Sequence, residues 1–80
     1  MTSVVRVEFT IEPFVEGRPG EHVTAAIEAA RRHSAAVDVG PFGTVCDADE
    51  GAVAVLIGAV VDAAVRNGAS HVALNVEVVG

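Results

Sequence analysis

Lysine, tyrosine and tryptophan are absent from this 80-residue chain, cysteine occurs once and phenylalanine three times. Each shortage excludes something. Without lysine, five arginines stand against eleven carboxylates for a net charge of −6, a field that repels a phosphate backbone, so nucleic acid is not the expected partner. The near-lack of aromatics leaves no platform on which single-stranded bases could stack. The lone Cys46 cannot close an internal disulfide, and no CxxC or paired His/Cys spacing offers a zinc site. Long apolar runs are missing too: Ala52 to Val61 is ten residues, short of a bilayer span. The opening MTSVVRVEF carries Arg6 and Glu8 inside its first apolar run, unlike a signal peptide. The expectation is a soluble cytoplasmic chain, 1–80 as one domain, bound to no membrane.

What is plentiful is aliphatic content. Hydrophobic residues make up 51% of the chain, while a chain of this size buries only about 60–65% of its unfolded surface. Self-association, as a homodimer or homotetramer, is the expected remedy for the excess.

Val5, Val7, Phe9 and Ile11 alternate with Arg6, Glu8 and Thr10, the period-two signature of a half-buried strand. Glu12 to Gly20 holds two prolines and two glycines and reads as a loop, with Gly20 a modest N-cap. Glu21 to Ser34 sets Val23, Ala26, Ile27 and Ala30 on one helical stripe, with a Glu28–Arg32 pair on the outer side. A strand over 36–39 stops at Gly40-Pro41, and a second over 44–48 completes a hairpin. In that second strand Val45 competes with Thr44 and Cys46 for the core. Asp47, Asp49 and Glu50 crowd the start of a helix over Ala52 to Arg66, where carboxylates suit the free N–H groups. This helix carries two apolar stripes. Val53, Leu56, Ile57, Val60 and Ala64 form one; Ala54, Gly58, Val61 and Val65 form another, which implies two buried neighbours and a close approach at Gly58. Asn67-Gly68 ends it with a left-handed cap. Val72, Leu74, Val76 and Val78 alternate with Ala73, Asn75 and Glu77 in a last strand.

Strand, helix, strand, strand, helix, strand is a split βαβ repeat. Right-handed crossovers lead to an α+β ferredoxin-like βαββαβ sandwich: a four-stranded antiparallel sheet in the order 4-1-3-2, with two helices on one face. The first and last strands are neighbours in that order, so Arg6, Glu8, Thr10, Asn75 and Glu77 project together from the uncovered face. A solvated face is one reading of this patch; a pocket in which Glu8 or Glu77 meets a cation is the other. His22, His33 and His71 lie in separate elements without ligand spacing, and no metal is expected. The acidic run 47–50 lacks the glycine and terminal glutamate of a calcium loop. Cys46 has no base in sequence range and reads as a small packing residue.

VEFTIEP, the loop glycine and proline before an alanine-rich helix, the central Pro41-Phe42-Gly43-Thr44 followed by Val45, and an acidic-glycine opening of the second helix together resemble the thiamine-binding, YkoF-like family of small ferredoxin-like proteins. The resemblance spans nearly the whole chain. Asp47-Ala48 stands where that family usually has Glu-Gly, and no basic residue follows VEVVG. The resemblance implies a non-enzymatic protein, without catalytic residues or cofactor, that binds thiamine or its hydroxymethylpyrimidine part and assembles through its sheets. Thiamine joins a permanent cation to an aminopyrimidine, so a carboxylate with a hydroxyl or amide is a fitting receptor. Glu8 is the expected partner of the cation or exocyclic amine. Thr10 and Thr44 would orient the pyrimidine, and Asn75 or Glu77 would complete its hydrogen bonds. A ligand-free assembly or regulatory module of the same fold is the alternative. An acylphosphatase-like enzyme ranks third, for want of a phosphate cradle.

Overall fold

A computed structural model describes residues 3–13, 20–34, 36–41 and 43–80. The element order is β1 (Val4–Glu12), α1 (Glu21–His33), β2 (Val37–Gly40), β3 (Gly43–Asp49), α2 (Val53–Arg66) and β4 (His71–Val78). The loop expected over Glu12 to Gly20 lies mostly outside the described residues, as does Phe42 of the central turn.

The four strands form one antiparallel sheet in the order β2-β3-β1-β4, which is the expected 4-1-3-2 order. β1 is the organising strand because it pairs on both sides. Val7 faces Cys46 of β3 on one side and Val76 of β4 on the other. Its alternation is realised in full: Val5, Val7, Phe9 and Ile11 are buried and Val4, Arg6, Glu8, Thr10 and Glu12 exposed. Each odd side chain stabilises the fold by roughly 1.5–3 kcal/mol through removal of apolar area from water.

The helices cover the odd-numbered face of β1. α1 buries Val23, Ala26, Ala29 and Ala30, and these small side chains let it pack closely on α2. Gly20 sets no side chain against the helix start; its carbonyl accepts the N–H groups of Val23 and Thr24 instead. At the far end Ser34 Oγ donates to the Asp47 carbonyl at 2.6 Å, tying α1 to β3.

Several expectations need correction. β3 runs on to Asp49 and α2 starts only at Val53, with Ala52 as N-cap and no acidic residue in its first turn. Asp47, Asp49 and Glu50 therefore belong to a strand and the turn after it, where Ala52 N–H donates to the Asp49 carbonyl. Strand pairing with β1 outcompeted helix-end electrostatics for these residues. α2 has one buried stripe, Leu56, Val60 and Ala64. The other faces water: Ala54, Gly58 and Val65 are exposed, Val61 is half-buried, and a Cβ on Gly58 would meet nothing within 4 Å. Glu28 and Arg32 are both exposed, and the ion pairs among the described residues are Arg6–Asp47 and Asp62–Arg66. An exposed pair gains too little to fix two long side chains, so its absence is unsurprising. Finally, Val76 and Val78 point toward the helical side but lie beyond its cover, 48% and 68% exposed.

The cap of α2 is as expected. Gly68 takes φ +99°, its N–H donates to the Val65 carbonyl, and that of Ala69 donates to the Ala64 carbonyl, the paired bonds of a Schellman ending.

Candidate functional site

The two faces of the sheet carry different chemistry. On the open face the register sets Arg6 opposite Glu77, Glu8 opposite Asn75 and Thr10 opposite Ala73. Directly opposed residues on one face of an antiparallel pair are in side-chain contact range. Glu8, Thr10, Asn75 and Glu77 therefore share one side of the layer, turned away from the helices. Across the other edge of β1, Arg6 faces Asp47 and grips it in a fork, Nε to Oδ1 at 3.0 Å and Nη2 to Oδ2 at 3.3 Å. That hydrogen bonding, reinforced by the charges of Asp47 and then Glu77, raises the guanidinium above its ordinary range. Arg6 is thus engaged with Asp47, while Glu8 and Glu77 enter neither ion pair of the described residues. The face is acidic and open.

Thr44 stands apart from these four. It is opposite Phe9 in the register, on the helix-covered side, and only 5% exposed. Val45, left ambiguous by the sequence, takes the open face opposite Glu8, and Cys46 is buried with Thr44. The Cys46 thiol is pushed up from its ordinary 9.0, first by burial and then by the charge of Asp47. It is a protonated packing group.

Thr44 opens onto a cavity of about 440 Å³, within the roughly 300–1,000 Å³ typical of small-molecule sites. Its described walls are Phe9, Ile11, Val23, Ile27 and Val39, with the Gly40, Pro41 and Gly43 backbone turn at one end and Thr10, Glu12 and Thr44 as polar groups. The sheet itself creates this space. Among the described residues, β1 pairs with β3 only as far as Phe9–Thr44, yet with β4 as far as Glu12–His71. Thr10 lies beside Gly43, the first residue of β3, and Ile11 and Glu12 run on along β4 past the last described pair with β3. The cavity at that place is bordered both by Ile11, from the covered face, and by Glu12, an even-numbered residue of β1.

Local sequence makes the gap possible. Gly43 takes φ +157°, and a Cβ there would sit 3.1 Å from Thr10 Cγ2 and 3.2 Å from the Phe9 carbonyl. Only glycine lets the hairpin press this closely on β1 and turn away. Thr44 completes the site from below. None of the side-chain hydrogen bonds among the described residues involves it. Thr44 is one of the residues lining the cavity.

Sequence reasoning named Thr10 and Thr44 but missed Glu12 and the apolar walls. Glu12 reads as the first residue of a loop, and nothing local reveals that β3 stops short of it. Among the described residues no group of three or more His, Cys, Asp and Glu could hold a metal, and no helix is long and apolar enough to cross a membrane.

No protein-family model matches the chain, and no curated protein does. Among solved structures, a domain of unknown function, DUF77, from Bacillus cereus is similar at 19% identity and a TM-score of 0.70, covering 99% of this chain and 77% of that one. A hypothetical protein from Methanocaldococcus jannascii is similar at 22% identity and a TM-score of 0.62, covering 98% of this chain and 80% of that one. At such identities the likeness is one of fold.

Proposed function

We propose that this protein binds a small heteroaromatic molecule of the thiamine or hydroxymethylpyrimidine kind, without catalysing a reaction, in the cavity at the end of β3. The observation that carries the reading is the cavity itself, whose helix-side walls are apolar apart from Thr44, a residue only 5% exposed. A ligand that hydrogen-bonds this hydroxyl while its ring meets the apolar walls would gain a polar and an apolar contact in one place. The resemblance of Pro41-Phe42-Gly43-Thr44 to the thiamine-binding family supports the ligand class, since Pro41, Gly43 and Thr44 line the cavity. The acidic field favours a cation over an acyl phosphate.

Thermal melting with thiamine and with hydroxymethylpyrimidine tests the proposal. A ligand at 100 times its dissociation constant adds about 2.7 kcal/mol of stability. No shift with either compound would favour the ligand-free assembly module.

A second reading keeps the ligand on the open face, favoured by the direct opposition of Glu8 and Asn75 with Glu77 nearby. Glu8→Ala separates the two: unchanged thiamine binding supports the cavity, and lost binding supports the open face. Self-association as a homodimer or homotetramer also belongs to the proposal. β4 is an edge strand with Val76 and Val78 uncovered, so a second copy added there would continue the sheet and cover both valines.

A further inference from the structure

We infer that the ligand lies across the end of the sheet in one orientation, its neutral ring beneath α1 against Thr44 and its positive charge outside, against Glu12. This rests on the cavity reading above and adds which part of the molecule goes where. The walls of the cavity are not uniform. On the helix side Phe9, Ile11 and Val23 are buried, and Thr44 supplies one hydroxyl. That end suits an uncharged planar ring with a single polar edge, because a charge there would lose its water without gaining a counter-charge. At the other end the cavity reaches Thr10 and Glu12, which sit at even positions of β1 and are exposed. Glu12 is the one charged side chain among the described lining residues. It takes part in neither of the ion pairs formed by the described residues.

The fold enforces the polarity. Successive residues of a strand point to opposite faces, so Ile11 and Glu12 present an apolar and an anionic group within one residue of each other. The gap left by β3 lets one ligand touch both. A bipartite ligand, neutral ring joined to a cation, matches that sequence of surfaces in one direction only.

Calorimetric titration of the full chain at pH 8 with two probes, thiamine and the neutral hydroxymethylpyrimidine, tests the orientation. Glu12→Gln is expected to weaken thiamine about three- to fivefold, as befits an exposed ion pair, and to leave the neutral probe within about twofold. Thr44→Val is expected to weaken both probes by a similar factor, about fivefold to tenfold, since both place the same ring on the hydroxyl. The thiamine preference should shrink with added salt, because the contact is solvent-screened. Equal losses for both probes in Glu12→Gln, or no loss for either, would overturn the orientation while the cavity reading stands. So would a Thr44→Val protein that loses thiamine but keeps the pyrimidine. If neither probe binds the unaltered protein, the cavity reading itself falls and takes the orientation with it. Melting curves of the unliganded variants confirm that each is folded before titration.

Discussion

The covered and open faces of the sheet use the same strand for opposite ends. Along β1, odd positions bury Val5, Val7, Phe9 and Ile11, while even positions offer Arg6, Glu8, Thr10 and Glu12 to water. One side is held by apolar area, which is proportional to contact and insensitive to salt. The other is held by little beyond the backbone ladder, and its charges are screened. The cavity lies at one place where residues of both faces, Ile11 and Glu12, come together.

The sharpest way to break this contrast is to cut one residue from each side. Phe9→Ala should cost about 3–5 kcal/mol, against a total of about 4–12 kcal/mol for a chain of this length, so urea or thermal melting should find it largely unfolded or close to it. Glu8→Ala, its neighbour on the open face, should stay within about 0.5 kcal/mol of the parent. Comparable losses would mean that the open face is structurally coupled to the core.

Val76→Glu probes the place where the covered face loses its cover. Sedimentation should find the parent associated and the variant shifted to monomer, with the monomer still folded because the side chain is half exposed. A monomeric parent would remove the self-association proposal.

Thr44→Val sharpens the comparison in the other direction. It replaces a largely buried hydroxyl by a methyl of nearly the same shape and removes no hydrogen bond among the described residues, so the unliganded protein should melt no lower than the parent. Undiminished stability joined to weaker binding is the mark of a group kept for function. A stability loss would show that the hydroxyl has a structural partner.

The smallest effect concerns Cys46. Its thiol titrates above the ordinary 9.0 in the folded chain because burial disfavours the thiolate. The folded state therefore holds this proton more tightly than the unfolded one, and the associated stability is intact below pH 9 and lost as pH rises through the folded value. Melting between pH 8 and 10 should fall more steeply for the parent than for Cys46→Ala. Parallel slopes would mean that the thiol is more accessible than its place beside Thr44 implies.

How much was legible beforehand follows from the range of each interaction. The alternation in β1 and the stripe of α1 are local and strong, and both elements formed within a residue or two of their expected limits. Gly68 likewise announced its cap, because a left-handed residue is a property of two or three neighbours. The opening of α2 was misread for the opposite reason. Carboxylates at 47–50 favour a helix start locally, but backbone pairing sets Asp47 opposite Arg6 and Asp49 opposite Val4 of the distant β1. The second stripe of α2 failed for the same cause: apolar residues can be read from sequence, while the element that would bury them cannot.

Sequence alone determined the order of elements, the strand order that follows from right-handed crossovers, and the two-sided character of β1, because these depend on periodicity and chirality carried by every residue. Only the tertiary structure decided that the described pairing of β1 with β3 ends at Phe9–Thr44 while β1 runs on to Glu12. The register puts Thr44 and Glu8 on opposite faces, and the offset leaves Thr44 and Glu12 among the walls of one cavity, since a cavity is defined by where packing stops and no single stretch of chain encodes its own missing neighbour.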